Sequence, residues 1–225
     1  MVFGDEMNVP ASAPDIGWID AACRTEWGTV GALVPNDFEA HLRIWPPPDT
    51  DDFGADYAEL HRLVASVGER HTSTPSEATF AIWDGHGFHI RTSALAWAHA
   101  PADEAERQAR EAARARLREE DRHRNAAVRA AVATVPTIEL PGRRYHVVTG
   151  PVAAVVDLRE PDGAAWHHPD LWWPQDRAWF VATDVDFWSL YVGGSAAFAA
   201  DVTAAVPAET RVEPVGLDVE LEIET

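Results

Sequence analysis

A tryptophan-rich segment at residues 171–195 constrains the fold of this chain more than any other feature. It holds four of the ten tryptophans, and its apolar residues alternate with smaller or polar ones. Leaving an indole ring in water is costly, so this density of tryptophan indicates either a packed part of the core or an aromatic binding surface. The alternation predicts strands over 177–183 and 187–192. The sequence Gly193-Gly-Ser195 then predicts the start of a helix, with Ser195 as its N-cap.

Further strand-like segments indicate that this region belongs to an antiparallel sheet. Residues 79–90 are typical of a hairpin that turns at Asp84-Gly85, and residues 137–158 are typical of a meander. Residues 216–223 alternate apolar and acidic side chains without a break, which predicts a strand with one buried face. Helices are predicted over 36–44, 57–69 and 196–205. The expected fold class is therefore α+β, a twisted antiparallel sheet with helices on one face.

The segment 101–133 differs in kind from the rest of the chain, because alanine, arginine and glutamate dominate it and glycine is absent. It predicts one long helix of about 48 Å, at about 1.5 Å per residue. It carries eight of the 18 arginines against seven acids, a net charge of +1, while the remaining residues carry ten arginines against 30 acids, a net charge of −20. Large apolar residues are scarce in it. We expect a solvated helix, with a clamp across an acidic face or a dimer arm as alternatives.

The length of 225 residues is enough for one sizeable core. Residues 1–15 contain two prolines and few large apolar side chains, so they are expected to form a flexible tail. The remaining residues, 16–225, are expected to form a single domain in which 101–133 is an inserted helix.

Charge and cysteine content exclude several classes of protein. The formal net charge is −19 and lysine is absent, which excludes a Schiff-base lysine and a P-loop lysine. So negative a chain repels nucleic acid and anionic membranes, and favours a basic protein partner or plain solubility. The single cysteine, Cys23, excludes an internal disulfide and a thiolate zinc cluster. With no signal-like N-terminus and no long apolar stretch, we expect a cytoplasmic protein.

A histidine-rich loop, His167-His168-Pro-Asp170, is the most metal-like motif of the sequence. Imidazole and carboxylate groups suit zinc or a non-haem divalent ion. Adjacent histidines in an irregular loop do not easily bind one ion together, however, and the sequence identifies no third ligand. We therefore expect no metal and no cofactor here, and interpret the pair as loop histidines flanked by Trp166 and Trp172.

Two other motifs carry weaker chemical signals. Asp184 and Asp186 would share one face of a strand, as carboxylates that bind Mg²⁺ or flank a glycosidic bond do. Their spacing also follows from Val185 pointing inward, and the chain has no phosphate-binding lysine. His86, between two glycines, could act as a general base at an exposed hairpin tip, although such histidines are more often turn residues.

The aromatic residues near 166–188 could line a groove for a sugar, a nucleobase or a peptide. Trp179 lies within the strand alternation and is assigned to the core. Because Trp172 and Trp173 are adjacent, they point in opposite directions in an extended chain, and one of them is expected to be exposed. The candidate ligand- or partner-binding residues are Trp166, His167, His168, Trp172, Trp173, Asp184, Asp186 and Trp188.

Four blocks of sequence carry a resemblance to a known group of proteins. They lie at 33–40 (Leu-Val-Pro-Asn-Asp-Phe-Glu-Ala), at 70–77 with 81–87, at 138–145 with 149–152, and at 171–186 with 191–195. Together they resemble a family of uncharacterised, mostly actinobacterial proteins with no known activity, so the resemblance implies no catalytic residue. The family pattern has a shorter connection where this chain has the 101–133 helix. A looser likeness to SUKH-type immunity and scaffold proteins lies in the sequence at 34–38, although Trp45-Pro-Pro replaces their Asn-Gly signature.

The function that these patterns favour is a non-enzymatic protein-interaction module, similar to an immunity or inhibitor protein, that binds a basic partner. The alternative is a small-ligand binder or metal-dependent hydrolase with a tryptophan-lined cleft near 166–188. A third possibility is a DNA mimic, whose carboxylates are spaced like backbone phosphates.

Overall fold

An eight-stranded antiparallel sheet organises the computed structural model, which describes residues 3–23, 28–46, 53–86, 103–159, 167–184 and 187–221. This is the α+β class that the sequence predicts. The order of the strands across the sheet is β3-β4-β2-β5-β6-β7-β1-β8. The strands are β1 (Ala40–Ile44), β2 (Ala78–Trp83), β3 (Thr137–Leu140), β4 (Arg143–Gly150), β5 (Leu171–Pro174), β6 (Trp179–Asp184), β7 (Phe187–Gly194) and β8 (Val212–Pro214).

Four α-helices accompany the sheet in the described residues. They are α1 (Gly17–Ala22), α2 (Phe53–Gly68), α3 (Glu104–Val132) and α4 (Ala196–Ala205). Helices α2 and α4 and the end of α3 contribute to a core on one side of the sheet, which we call the first face. Helix α1 and the C-terminal residues pack on the other side, the second face. The prediction of helices on one face therefore holds for α2 and α4, whereas α1 was not predicted.

Burial on both faces explains the density of tryptophan. Trp172 and Trp179 point to the first face and are 0% exposed, while Trp173 points to the second face and is 3% exposed. The expectation that one of the adjacent pair is exposed is wrong, because each face of the sheet has its own apolar cover. Trp172, Trp173 and Trp179 are therefore core residues.

The central packing contact of the first face joins β6 to the end of α2. The indole Nε1 of Trp179 donates a hydrogen bond to the carbonyl oxygen of Gly68 at 3.0 Å. The same indole stacks on Phe198 of α4, with ring centroids 5.7 Å apart. One side chain thus fixes both helices against the sheet.

The helix predicted over 36–44 is wrong, because residues 40–44 form β1. This strand inserts between β7 and β8 and pairs with both. Its buried residues Leu42 and Ile44 are two apart and face the same core, which is the strand period. Pairing on both edges overrides the helical signal of the local sequence.

Two predicted strands are also replaced by other structures. Residues 152–157 of the predicted meander form a 3₁₀ helix whose buried Val152 and Val155 are three residues apart. The predicted C-terminal strand at 216–223 is broken by a turn, in which the Val219 amide donates to the Gly216 carbonyl at 3.2 Å. Val219 is consequently 43% exposed, and up to residue 221 the pairing is limited to one bridge between Thr29 and Glu220.

The predicted hairpin over 79–90 and the N-terminal tail also differ from the structure. Strand β2 has β4 on one edge and β5 on the other, and a 3₁₀ turn, Asp84–His86, follows it. Residues 87–90 lie outside the described part of the chain. In the expected tail, Phe3 and Met7 are 1% and 2% exposed, and Asn8 exchanges backbone hydrogen bonds with Thr149. These apolar residues are packed rather than loose.

The long helix is confirmed as α3, which begins after Asp103, whose carboxylate accepts a hydrogen bond from the Glu106 amide. The C-terminal end of α3 packs against the rest of the protein, because Val128 and Val132 belong to the first-face core. Most of its other side chains are exposed. No helix among those described has a stretch that is both long and apolar enough to span a membrane.

Replacing Gly68 by alanine tests the packing under Trp179. A Cβ at this position would lie 2.6 Å from the indole ring, which is buried and has no room to move. We expect Gly68→Ala to lower the free energy of unfolding by about 1–3 kcal/mol, measured by urea denaturation. Gly216→Ala is the matched control, because its Cβ would meet only Val219 at 3.7 Å. Equal stabilities of the two variants would contradict the packing argument.

Replacing Asp176 by asparagine tests a carboxylate that braces the turn between β5 and β6. It accepts hydrogen bonds from the Thr72 hydroxyl and from both the amide and the hydroxyl of Ser73. Desolvation alone would raise its pKa, but these hydrogen bonds outweigh that effect and lower the pKa. We expect Asp176→Asn to cost about 1 kcal/mol at neutral pH, because the carboxylate is exposed.

A depressed carboxyl pKa stabilises the fold at neutral pH, and this contribution is lost as the pH falls through the folded-state pKa. The difference between wild type and Asp176→Asn should therefore be unchanged above about pH 5 and shrink as the pH falls below the ordinary carboxyl value of 3.8 toward the lower folded-state pKa, in urea denaturation. Asp37→Asn, at an exposed position, is the control. A difference that stays constant with pH would contradict the assignment.

Candidate functional site

The site is organised around Asp170, which directly precedes β5 and is 2% exposed. Its Oδ2 accepts a hydrogen bond from the Trp83 amide at 2.7 Å. Its own amide donates to the Ala81 carbonyl at 2.9 Å, and its carbonyl accepts from the Thr183 amide at 2.7 Å. The backbone of Asp170 therefore joins β2 to β6, and its carboxylate has a fixed position.

His86 reaches this carboxylate from the 3₁₀ turn that follows β2. Its Nε2 lies 3.1 and 3.0 Å from the two carboxylate oxygens of Asp170. Gly85 allows the turn, because a Cβ there would overlap the indole ring of Trp83. The expectation that His86 is exposed at a hairpin tip is wrong: its side chain is 15% exposed and is bound to a buried carboxylate.

Three further histidines continue from His86 in a row of imidazole rings. The ring of His167 lies 4.5 Å from that of His86, nearly perpendicular to it. His167 stacks on His168 at 5.2 Å, and His168 stacks on His61 of α2 at 5.9 Å. We call His86, His167, His168 and His61 the histidine row.

Tyr57 closes the inner end of the histidine row. Its ring lies 5.1 Å from the rings of both His61 and His168. Its hydroxyl is 2.5 Å from Oγ1 of Thr183 on β6, which ties α2 to the sheet. Desolvation by burial raises the pKa of Tyr57, so the phenol stays protonated.

Burial keeps the inner imidazoles uncharged. Desolvation lowers the pKa of His167 to about 3, and the neighbouring rings of His168 and His86 lower it further. Desolvation also lowers the pKa of His168 and, to well below its ordinary value, that of His61. Burial would raise the pKa of Asp170, but the hydrogen bonds from His86 and the Trp83 amide, together with the attraction of His86 and His168, outweigh this and lower the pKa. At neutral pH the site therefore combines the neutral imidazoles of His61, His167 and His168 with the ionised carboxylate of Asp170.

His86, His167 and Asp170 form a possible metal-binding set. One ligand atom from each lies within 4.8 Å of those of the other two. A tetrahedral zinc ion with bonds of about 2.0–2.1 Å places its ligand atoms about 3.3 Å apart, so the longest of these separations would have to shorten by up to about 1.5 Å on binding. Neutral imidazole and carboxylate are the forms that bind divalent ions.

The structure brings some of the predicted site residues together and separates others. His167 and His168 lie in the histidine row, and Trp172 lies behind it, 5.9 Å from His61. Asp184 is instead bound to Arg143, with Asp184 oxygens 2.7 and 2.9 Å from its Nη2. Trp173 packs in the second-face core. Trp166 and Asp186, together with the side chain of Trp188, lie outside the described part of the chain.

Sequence reasoning did not connect His86 with His167 and did not select His61. A signal for His61 exists, because it lies on the apolar stripe of α2 with Tyr57, Leu60 and Val64. A histidine at such a position is buried and must interact there. The approach of His86 to His167 has no local signal, since it depends on the pairing of β2 with β5.

No family model, curated protein or solved structure matches this chain. The resemblance to uncharacterised actinobacterial proteins stays a prediction.

Replacing Arg143 by alanine tests the separate role of Asp184. The side chains of Arg143 and Asp184 are 11% and 2% exposed, so the variant leaves a buried carboxylate without this cation. We expect a loss of about 3–5 kcal/mol in the free energy of unfolding by urea denaturation. Arg144→Ala is the control, because Arg144 is mostly exposed and should cost much less. Similar losses would contradict a structural role for the Arg143–Asp184 pair.

Proposed function

We propose that the protein is a divalent-metal enzyme of the hydrolase class that binds Zn²⁺ through His86, His167 and Asp170. The observation that carries this proposal is the convergence of these three ligand atoms within 4.8 Å of one another. They come from two stretches of chain about 80 residues apart. Asp170 is fixed by backbone hydrogen bonds to β2 and β6, and the His167 amide donates to the Leu158 carbonyl at 3.1 Å. His86 is the third candidate ligand, which the sequence alone did not identify.

The ligand set favours zinc in a catalytic form over zinc in a structural form. Structural zinc sites are closed by four protein ligands and are rich in thiolate, whereas catalytic sites use three protein ligands and keep one position for water. The single cysteine is unsuited to zinc, because burial raises the pKa of the Cys23 thiol to about 12. A bound zinc ion would lower the pKa of its water and so supply a nucleophile at neutral pH.

The residues around the three ligands are suited to supporting such chemistry. The Trp83 amide fixes Oδ2 of Asp170, and a bound ion would replace the proton that Nε2 of His86 shares with this carboxylate. His168 stacks on His167 and fixes the plane of that ring. Tyr57 keeps its proton and lies beside His168, so it excludes solvent from the inner end of the histidine row.

The interaction-module hypothesis receives less support from the geometry. It relied on tryptophans as exposed anchors for a partner, and of the candidate tryptophans Trp172 and Trp173 are at most 3% exposed. The acidic composition remains in its favour. The DNA-mimic hypothesis has no specific structural observation behind it.

A zinc titration with matched histidine variants tests the proposal. We expect the chelator-stripped protein to bind one Zn²⁺ per chain in competition with a chromophoric chelator. His86→Gln should weaken binding by at least about 100-fold, because it removes a ligand. His71→Gln is the control, since His71 also pairs with an aspartate, Asp201, and has a similar side-chain exposure of 19% against 15%.

The readout of catalysis is a screen of chromogenic ester and phosphoester substrates with the zinc-loaded protein. Hydrolysis should disappear with the chelator, return with zinc, and be absent in His86→Gln. Stoichiometric zinc binding without hydrolysis would reject the enzymatic part of the proposal. Equal zinc binding by His86→Gln and His71→Gln would reject the metal site itself.

A further inference from the structure

A cavity of about 400 Å³ opens on the second face of the sheet, beside the N-terminal segment. Thr79 of β2 and Thr149 of β4 lie directly opposite each other in the strand pairing and form its floor. Ala81, two residues after Thr79, lies in the second-face core, so the Thr79 side chain points to the same face. Pockets for small molecules have volumes of roughly 300–1,000 Å³. We call this space the N-terminal cavity.

Backbone hydrogen bonds fix both walls of the N-terminal cavity. On one side the Asn8 amide donates to the Thr149 carbonyl at 2.7 Å, and the Thr149 amide donates to the Asn8 carbonyl at 2.9 Å. On the other side the Gln175 amide donates to the Glu77 carbonyl at 2.8 Å. The cavity is therefore held open by the sheet and its neighbouring segments, and a ligand would not have to order it.

The N-terminal cavity is lined by polar side chains that have no partner in the protein. Thr79 is only 7% exposed, and within the described part of the chain its hydroxyl forms no hydrogen bond. A buried hydroxyl without a partner is unfavourable, and a ligand in the cavity can supply the missing hydrogen bond. Asn8, Ser12, Ser76 and Gln175 also line the cavity. Their amide and hydroxyl groups both donate and accept, as the hydroxyl groups of a ligand require.

The charge of the N-terminal cavity comes from one carboxylate. Of the twelve lining residues, Glu77 is the only one that carries a formal charge, and none is basic or aromatic. In the described ranges the Glu77 side chain forms no ion pair. An anionic ligand would therefore be repelled and a flat aromatic ligand would have no ring to stack on, whereas an ammonium group would form a charge-assisted hydrogen bond with Glu77.

We propose that the N-terminal cavity binds a small amino sugar, a molecule that combines one primary ammonium group with several hydroxyl groups. The Glu77 carboxylate accepts a hydrogen bond from the ammonium group, and Thr79 pairs with a ligand hydroxyl. None of the lining residues belongs to the histidine row, and Asp170 is not among them. The cavity is therefore a second site, and its ligand does not depend on the proposed zinc chemistry.

Titration of the full chain with glucosamine and with glucose, followed by ¹⁵N–¹H NMR, tests the proposal. The titration is made at about pH 6, where the amine is protonated, and with a chelator present so that zinc takes no part. Glucosamine should cause saturable shifts of the Thr79 and Gly150 amide signals, with a dissociation constant of at most about 5 mM. Glucose lacks the ammonium group and should bind at least about tenfold more weakly.

Three variants separate the charge from the buried hydroxyl. Glu77→Gln should weaken glucosamine binding at least about tenfold, to the affinity of glucose, because it removes the carboxylate. Glu209→Gln is the matched control, since Glu209 is exposed and lies outside the cavity, and it should leave the affinity within about threefold. Thr79→Val keeps the shape of the side chain without its hydroxyl and should weaken glucosamine binding at least about threefold.

Three results would overturn the proposal. The first is the absence of saturable shifts with glucosamine up to about 50 mM, ten times the expected dissociation constant. The second is equal affinity for glucosamine and glucose, which would remove the role of the ammonium group. The third is an equal effect of Glu77→Gln and Glu209→Gln, since only Glu77 lines the cavity. The amide spectra themselves verify that each variant keeps the fold.

Discussion

The structure depends on one buried carboxylate, Asp170, placed where β2, β5 and β6 meet. Burying an ionised carboxylate is expensive unless hydrogen bonds replace its water. Here the Trp83 amide and His86 provide them, and the backbone of Asp170 binds both neighbouring strands. The same contacts that stabilise the charge therefore determine where His86 and His167 lie. Helix α2 then covers the cluster from the first face and adds His61 and Tyr57. In this way a junction of three strands brings the imidazole rings of His86 and His167 close to the carboxylate of Asp170.

The two faces of the sheet divide the polar residues into separate groups. On the first face the neutral rings of His61, His167 and His168 and the ring of His86 lie near the ionised Asp170, a combination suited to a cation. On the second face Asp184 is neutralised by Arg143, which also stacks over the ring of Trp83 at 4.4 Å. Trp83 therefore links the groups: its amide holds Asp170, and its indole packs between Arg143 and His86. The acidic composition of the chain does not by itself identify the important carboxylates. Asp170 and Asp184 are both buried, and their partners distinguish them: His86 contacts Asp170, and Arg143 contacts Asp184.

Sequence reasoning predicts the elements whose pattern is long and regular. Local sequence patterns predict the α+β class, the central parts of helices α2, α3 and α4, and the strands β6 and β7. They also predict Ser195 as the N-cap of α4. Sequence-based prediction fails where strand pairing determines the secondary structure, as for β1. It also fails where a single turn interrupts an alternating pattern, as at Gly216. For the site, the sequence identified His167 and His168, and noted Asp170, but interpreted them as loop residues because a third ligand was missing. That ligand comes from the β2–β5 register, which local sequence does not determine.

The most direct test of the account is X-ray absorption at the zinc K-edge on the zinc-loaded protein. The account predicts a shell of nitrogen and oxygen atoms at about 2.0–2.1 Å, with outer-shell scattering from two imidazole rings. In Asp170→Asn the coordination should change or the zinc should be lost. A sulfur shell at about 2.3 Å, or a shell without imidazole scattering, would contradict the central claim that His86, His167 and Asp170 form one metal site.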